Sequence, residues 1–398
     1  MKYTVMCGEK VSALGYGTMR FPCLPSGAID EEKTKKLIDH AVRSGVNYFD
    51  TAHPYHGGMS ERVIGRLLSA YPRDSYFLAD KYPGHQILDE YDPAALFEEQ
   101  LQKCGVDYFD FYLLHNVCEN SMEVYESEKW GIIPYFAEQK RRGRIKHLGF
   151  STHARPDTLK AFLDRHGDEM EFCQIQMNYL DYTLQDAKQK YEMLTERGIP
   201  IVVMEPVRGG RLSKLDESME KELFARRPNE SVSSWSFRFL QAFPNIKVVL
   251  SGMTTEEQLR DNINTFSGGV PLSEEEKGLL LFFAEKMKAA VPCTACRYCC
   301  EGCPMGLDIP MLVHAYNDAK FDAVGFTVGM QIDALPENKK PSACIGCGAC
   351  TKACPQGIDI PAVLRGLVEI LPKLPNWAAI CKKRAEEAKK NARKEETK

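Results

Sequence analysis

The chain has 398 residues, of which 44% are hydrophobic and 27% are charged, and its formal net charge is −4. This composition is that of a folded globular protein long enough for two domains. The slightly acidic balance favours neither nucleic acid nor an anionic membrane as a partner. No apolar run approaches the roughly 18 residues of a membrane span, and the first residues do not have the pattern of a signal peptide. We therefore expect a cytoplasmic protein whose 15 cysteines are thiols or metal ligands rather than disulfides.

Residues 1–270 alternate between apolar, β-rich segments and amphipathic segments of helical period. After the opening segment VSALGYGTMRF, the predicted strands are VNYFDTA, SYFLADKY, DYFDFYLLH, IKHLGFST, EFCQIQMNY, IPIVVMEPV and IKVVLSGM. Strands that alternate with helices predict a parallel sheet. Eight strand–helix units predict a closed (β/α)8 TIM barrel of the α/β class. An open, doubly wound sheet is the alternative, and it is disfavoured because no G-x-G-x-x-G follows the first strand.

In such a barrel, polar residues at the carboxyl ends of the strands face the active site. Asp50 ends the second strand and Tyr55 follows it, Lys81 lies near the end of the third strand, and His115 ends the fourth. An ammonium near a tyrosine lowers the tyrosine pKa of about 10, and a carboxylate would hold the ammonium in place. Each residue alone is typical of packing or of a salt bridge. The combination, with a histidine to orient a carbonyl oxygen, indicates a site for proton transfer.

The segment NYFDTAHPYHGGMSERVIGRLL resembles the signature of the aldo/keto reductase family, in which a strand ends in Asp-Thr-Ala and is followed by Tyr-x-Gly, Ser-Glu and a helix. LADKY and DYFDFYLLH resemble the lysine-bearing and histidine-bearing strands of that family, and the resemblance extends over residues 1–270. It implies reversible, NAD(P)H-linked reduction of a small carbonyl compound to an alcohol. In this reaction Tyr55 would donate the proton, Lys81 paired with Asp50 would tune the tyrosine, and His115 would orient the carbonyl.

The resemblance also implies contacts to the nicotinamide cofactor. Three residues stand where the family binds the nicotinamide amide, a loop after the seventh strand stands where the pyrophosphate is wrapped, and residues 251–262 stand where the adenosine end is held. The residues assigned to the cofactor are Thr18, Asp50, Ser151, Thr152, Gln176, Met204, Glu205, Pro206, Arg208, Gly209, Gly210, Ser251, Gly252, Gln258 and Asn262.

Two departures from the family pattern bear on the choice between NADP(H) and NAD(H). Many members stack a tyrosine on the nicotinamide at the position of Met204. Many also have Lys and Arg for the 2′-phosphate at positions that here correspond to Gly252 and Gln258. An anionic phosphate favours such cations, and they are missing at these two positions. The sequence therefore does not decide between NADP(H) and NAD(H).

The last hundred residues have a different character. Residues 271–290 predict a connecting helix, with Ser273 and Glu276 as a capping box. Two motifs of spacing C-x2-C-x2-C-x3-C-P then follow at a constant offset of 51 residues: Cys293, Cys296, Cys299 and Cys303, and Cys344, Cys347, Cys350 and Cys354. This internal duplication has the spacing of bacterial ferredoxins with two [4Fe–4S] clusters.

In ferredoxins of this spacing, the fourth cysteine of each motif ligates the other cluster. We therefore assign Cys293, Cys296, Cys299 and Cys354 to one cluster, and Cys344, Cys347, Cys350 and Cys303 to the other. Zinc is the alternative, although zinc usually takes two C-x2-C pairs around one ion. The long segment between the motifs resembles the helical ferredoxin modules of fumarate reductase and its relatives. We expect a mostly helical ferredoxin-like domain at 291–375 and a charged tail, helical or disordered, at 376–398.

Three functions are compatible with this combination. In the first, which we rank highest, the barrel is a carbonyl reductase and the clusters serve electron transfer or structural support. In the second, the clusters exchange single electrons with a ferredoxin or flavoprotein partner and connect to the barrel through a bound flavin or through the substrate. In the third, the barrel is a nicotinamide-sensing module, and the Tyr55–Lys81–His115 set argues against it.

Overall fold

The computed structural model describes residues 1–86, 88–288, 291, 293, 297–321 and 326–396. The chain forms two compact units. The first consists of Met1–Lys277 together with Lys382–Lys398, and the second of Gly278–Cys381. The first unit therefore contains the segment predicted as a barrel and also the last residues of the chain.

Eight parallel strands of the first unit close into a barrel in which each strand pairs with its neighbours along the chain and the last pairs with the first. This confirms the predicted (β/α)8 fold. A hairpin of β1 (Tyr3–Met6) and β2 (Glu9–Ser12) precedes the barrel. The barrel strands are β3 (Leu14–Gly17), β4 (Tyr48–Asp50), β5 (Phe77–Tyr82), β6 (Phe109–Leu114), β7 (Ile145–Thr152), β8 (Phe172–Gln176), β9 (Ile201–Met204) and β10 (Ile246–Ser251).

Two of the helices around the barrel begin at aspartates that cap them. Asp30 caps the first helix by accepting from the Lys33 amide at 3.1 Å, and Asp92 caps the helix that starts at Pro93. The helices around the barrel are α1 (Glu31–Arg43), α2 (Met59–Leu68), α3 (Pro93–Cys104), α4 (Met122–Glu126), α5 (Ile132–Arg141), α6 (Pro156–His166), α7 (Asp181–Leu184), α8 (Ala187–Glu196), α9 (Glu217–Arg226), α10 (Val232–Gln241) and α11 (Glu256–Ser267).

The β1–β2 hairpin was not predicted from the sequence. Its two-residue turn has φ of 52° at Cys7 and 88° at Gly8, as tight hairpin turns require. Met6 and Val11 are fully buried in one apolar cluster with Tyr48 and Phe172, which are the first residues of β4 and β8. The hairpin therefore packs against the amino ends of the barrel strands and leaves the carboxyl ends for a site.

The second unit is helical, as predicted. The helices that lie wholly or partly in it are α12 (Glu274–Lys288), α13 (Tyr298–Glu301), α14 (Ile309–Phe321), α15 (Thr327–Asp333), α16 (Ala349–Ala353), α17 (Ile360–Ile370) and α18 (Trp377–Glu396). The predicted capping box of α12 is present, because Glu276 N donates to Ser273 Oγ at 3.2 Å and Ser273 N donates to Glu276 Oε2 at 2.8 Å.

The duplicated Asp-Ile-Pro sequence starts equivalent helices in this unit. Asp308 precedes α14 and accepts from the Met311 amide at 3.4 Å, and Asp359 precedes α17 and accepts from the Ala362 amide at 3.1 Å. A proline near the first position of a helix costs no hydrogen bond. In the part of the chain that the structure describes, no helix combines the length and the apolar character needed to cross a membrane.

We expect Met6→Ala to lower the free energy of unfolding by about 2–5 kcal/mol, because it would leave a cavity at the amino end of the barrel. Val5→Ala is the control, since Val5 lies on the same strand and is 65% exposed whereas Met6 is 0% exposed. Urea unfolding followed by circular dichroism measures both. Equal losses in the two variants would contradict the packing role of the hairpin.

Candidate active site and cysteine cavities

The carboxyl ends of β4, β5 and β6 bring the four predicted catalytic residues together. Lys81 Nζ is fully buried and donates to Asp50 Oδ1 at 2.6 Å and to the Thr51 carbonyl at 2.6 Å. The same Nζ lies 5.1 Å from the ring centroid of Tyr55. The Tyr55 ring stands edge-on to His115, with 6.1 Å between the ring centroids. An acid, a cation and an imidazole are therefore gathered around one point.

Burial and charge set the protonation states of this group. Burial lowers the pKa of Lys81, but the charge of Asp50 and its hydrogen bond with the lysine raise it, so the net pKa lies above the ordinary value and Lys81 is an ammonium. Burial raises the pKa of Tyr55 and Lys81 lowers it, with a net rise. Lys81 therefore acts in the direction that we expected, but burial decides the net shift. Burial and the nearby His85 hold the pKa of His115 well below its usual value, so its imidazole is neutral.

The serine of the signature is a structural residue that fixes α2 to two strand ends. Ser60 Oγ donates to Thr18 Oγ1 at 2.7 Å and lies 2.9 Å from Thr51 Oγ1. All three residues are fully buried. Thr18, which the sequence assigned to the cofactor, therefore has its hydroxyl engaged in this network behind the site.

The glutamate of the signature supports Lys81 from behind. Glu61 is fully buried, accepts from Gln100 Nε2 at 2.9 Å and pairs with Lys103 Nζ at 3.3 Å. Gln100 Nε2 also donates to the Lys81 carbonyl at 3.1 Å. The network thus connects α2 and α3 to the backbone of the lysine, which limits where its ammonium can lie.

Two further histidines, which were not singled out from the sequence, lie near the site. His85 lies in the loop after β5, with its ring centroid 4.2 Å from that of His115, and burial lowers its pKa to about 3. Burial likewise lowers the pKa of His153, after β7, to about 4. Both lie beyond strand ends, a signal that could have identified them. Both imidazoles are therefore neutral near pH 7.

Two of the residues assigned to the nicotinamide hold the loop that carries His115. Ser151 Oγ accepts from the Asn116 amide at 2.7 Å, and Thr152 Oγ1 donates to the Val117 carbonyl at 2.7 Å. Gln176 Nε2 donates to Asp181 Oδ2 at 2.8 Å. All three assigned side chains are buried at strand ends, so they lie at the expected end of the barrel.

The loop after β9 winds through left-handed conformations. Glu205 and Arg208 have φ of 56° and 46°, and Gly209 and Gly210 have φ of 65° and 96°. Arg208 is buried and pairs with Asp181 at 3.2 Å. In this arrangement the guanidinium of Arg208 fixes the loop from inside, while Gly209 and Gly210 are exposed.

Arg20 is a residue that the sequence analysis missed. A side-chain carbon placed on Gly252 would lie 2.9 Å from Arg20 Cβ, and one placed on Gly209 would lie 3.1 Å from an Arg20 guanidinium nitrogen. Arg20 therefore contacts both loops that the sequence assigned to the pyrophosphate and the adenosine. No local motif marks it, because only barrel closure brings β3 beside β10.

The other assigned residues mostly make contacts within the protein. Gln258 Oε1 accepts from the amides of Thr254 and Thr255 at 2.8 and 3.3 Å, which makes it part of a capping box. Ser251 Oγ accepts from Asn262 Nδ2 at 2.9 Å. The Met204 thioether accepts from Gln174 Nε2 at 3.5 Å, and the Pro206 carbonyl accepts from the Ser236 hydroxyl.

The cysteines of the second unit line two cavities. One is lined by Cys293, Cys299 and Cys354. The other is lined by Cys303, Cys344, Cys347 and Cys350. Each cavity thus takes cysteines from both motifs, in the crossed pattern predicted from the spacing. The remaining predicted ligand, Cys296, lies outside the described residues.

The cysteines stand around these cavities rather than meeting at one point. Within the described residues, no three His, Cys, Asp or Glu side chains form a group that could hold a single metal ion. A [4Fe–4S] cluster is held by four thiolates, each on a different iron, so its ligands are spread around the cluster. The donor set and the two cavities therefore fit such clusters.

The comparisons with known proteins agree with both parts of the chain. The model of the aldo/keto reductase family matches residues 13–280, and that of the 4Fe-4S dicluster domain matches residues 292–358. Uncharacterized oxidoreductase YqkF of Bacillus subtilis is 26% identical over 304 residues, which are 68% of this chain and 92% of the relative. The NADH-specific methylglyoxal reductase of Escherichia coli is 23% identical over 323 residues, which are 70% of this chain and 96% of the relative.

Among solved structures, the holo form of aldo-keto reductase AKR11C1 from Bacillus halodurans has the same fold, with a TM-score of 0.58 at 24% sequence identity. The match covers 70% of this chain and 95% of that one. The family match spans more than half of the chain. The chain is therefore an oxidoreductase of the aldo/keto reductase family that carries a C-terminal 4Fe-4S dicluster domain.

Proposed function

We propose that this protein is a nicotinamide-dependent carbonyl reductase, working reversibly, whose second unit holds two [4Fe–4S] clusters. The observation that carries the proposal is the buried Lys81 ammonium, bonded to Asp50 at 2.6 Å and lying 5.1 Å from the Tyr55 ring. This arrangement gives a tyrosine that keeps its proton at neutral pH and a cation that stabilises the phenolate once the proton has left.

The chain's own residues provide the proton and the orientation. Tyr55 gives its hydroxyl proton to the carbonyl oxygen, and Lys81 stabilises the phenolate that remains. The neutral imidazole of His115 donates a hydrogen bond to the same oxygen and holds the carbonyl in place. The nicotinamide, when bound, supplies the hydride that the carbonyl carbon receives. Acid catalysis of this kind typically contributes about 10²–10⁴ to the rate.

Several residues at the carboxyl ends of the strands would hold the cofactor. We propose Gln176, at the end of β8, for the nicotinamide end, and the exposed Gly209-Gly210 turn for the pyrophosphate. Arg20 lies with its guanidinium beside Gly209 and its aliphatic carbons beside Gly252, and we propose that it partly replaces the family cations that Gly252 and Gln258 lack. The name of the Escherichia coli relative, an NADH-specific methylglyoxal reductase, supports NADH and a small carbonyl substrate.

We propose that the clusters are held by the crossed sets of cysteines and serve electron transfer or structural support. The clusters, when bound, pass single electrons. The match covers 96% of the length of the Escherichia coli relative. That protein therefore has almost no sequence outside the region matched to this chain. We therefore propose that hydride transfer takes place in the barrel alone.

Tyr55→Phe is expected to fold normally and to lose carbonyl reduction by about 10²–10⁴ in kcat, because no proton is delivered to the oxygen. Oxidation of NADH and of NADPH with methylglyoxal measures the loss. Tyr3→Phe is the control, since it removes a hydroxyl from the hairpin at the opposite end of the barrel. Unchanged turnover in Tyr55→Phe would refute the proposed acid.

Lys81→Met leaves the Asp50 carboxylate buried without its cation. We expect a loss of about 3–5 kcal/mol in the free energy of unfolding. The double variant Asp50→Leu/Lys81→Met should recover most of this stability, because no charge then stays buried, while reduction stays lost. Thermal unfolding and turnover separate the two effects. A double variant as unstable as Lys81→Met would contradict the ion-pair account.

Pairs of cysteine substitutions test the crossed assignment. Cys299→Ser/Cys354→Ser should damage one cluster and leave about four of about eight irons per chain, whereas Cys350→Ser/Cys354→Ser should damage both clusters and leave almost none. Iron analysis and the EPR spectrum after dithionite reduction measure this. Cys300→Ser is the control and should keep all iron, because Cys300 lies between two motif cysteines and outside the motif spacing. The opposite ranking of the two double variants would show that each motif binds its own cluster.

A further inference from the structure

The two cysteine motifs differ at one position where the backbone is left-handed. Arg297 follows the second cysteine of the first motif and has a φ of 67°, and Gly348 stands at the same place in the second motif with a φ of 73°. Glycine adopts this conformation freely, whereas an arginine adopts it only at a cost in free energy. The first motif thus has an arginine in a loop conformation for which the second motif has a glycine. A residue held in such a conformation indicates a function for its side chain.

The Arg297 side chain borders the cavity that is lined by Cys293, Cys299 and Cys354, which we call the first cavity. Its other described lining residues are a glutamine and apolar side chains. The second cavity, which Gly348 lines, has only cysteines, glycine and apolar side chains among its described lining residues. Within the part of the chain that the structure describes, Arg297 is therefore the charge by which the two linings differ.

The other charges near the two cavities do not account for this arginine. Lys339 Nζ donates to the Met305 and Gly306 carbonyls at 2.8 and 3.1 Å, and Lys339 does not line the second cavity. Arg297 Nη1 lies 3.3 Å from Asp308 Oδ1, and the two side chains are 60% and 45% exposed. Because an ion pair this exposed contributes little to stability, the pair with Asp308 does not explain why the strained position keeps an arginine.

We propose that Arg297 raises the reduction potential of the cluster held in the first cavity and so makes the two duplicated sites unequal. This inference rests on the proposed clusters. Reduction adds one electron, and thus one negative charge, so a cation at the edge of the cavity stabilises the reduced form. Local charge is one of the factors that set the potential of such clusters. An electron shared between the two sites is therefore biased towards the one beside Arg297.

The test is an anaerobic redox titration of the reconstituted full chain, followed by EPR. In Arg297→Gln, which removes the charge and keeps most of the side-chain length, we expect the reduction equilibrium of one cluster to become about tenfold less favourable, or about 59 mV for one electron. Arg297→Lys should retain most of the wild-type potential. Asp308→Asn should raise the same midpoint, because it removes the counter-charge while asparagine still caps α14. Lys373→Gln is the control, since Lys373 is exposed in the same unit and lines neither cavity.

The reciprocal substitution shows which cluster has moved. Gly348→Arg places a guanidinium at the matching position of the second motif and should raise the other midpoint. The double variant Arg297→Gly/Gly348→Arg should therefore lower one midpoint and raise the other. If Arg297→Gln does not fold, Arg297→Gly gives the same comparison, because glycine is relaxed at this φ.

Iron analysis distinguishes failure of the inference from failure of the proposed clusters. A fall confined to one midpoint in Arg297→Gln supports the inference. A chain with about eight irons whose midpoints stay unchanged in that variant, or fall equally, overturns the inference and leaves the proposed clusters intact. A wild-type chain that takes up no iron refutes the proposed clusters and the inference with them.

Discussion

The buried ion pair between Lys81 and Asp50 is the interaction on which the site depends. Placing two charges where neither meets water costs several kcal/mol for each ion. The cost is offset because the ammonium has two acceptors at 2.6 Å, the Asp50 carboxylate and the Thr51 carbonyl. Both acceptors come from the end of β4, and β4 pairs with β5 in a register that sets Asp50 opposite Ala79. The barrel thus fixes the position of the ammonium in advance, as the proposed proton transfer from Tyr55 requires.

The two ends of the barrel have opposite physical character. At the amino end, the hairpin contributes Met6 and Val11 to a continuous apolar cluster, which supplies hydrophobic stability. At the carboxyl end, hydroxyl groups, carboxylates and imidazoles are buried and held by one another, as buried polar groups must be. Burial also keeps Tyr55 protonated and His115 neutral. The apolar packing at the amino end therefore stabilises the barrel and offsets the free-energy cost of burying polar groups at the carboxyl end.

In the second unit, each cavity is lined by cysteines from both motifs, so that neither motif forms a cavity alone. The cavity of Cys293 and Cys299 takes Cys354 from the second motif, and that of Cys344 and Cys347 takes Cys303 from the first. The two halves of the duplication must therefore fold against each other before either site is complete. Their shared core, which includes buried residues of α14 and α17, supplies the energy for this.

The sequence by itself determined whatever depends on local order: the alternating strands and helices, the strand ends at Asp50, Lys81 and His115, and the cysteine spacing. These follow from periodicity and from ligand geometry, which operate over a few residues. Tertiary structure alone decided that Arg20 lies beside Gly252 and that Asn391 lies beside Gly57, because these contacts join segments hundreds of residues apart. It also decided the net pKa of Tyr55, since burial depends on every neighbour and opposes the local effect of Lys81.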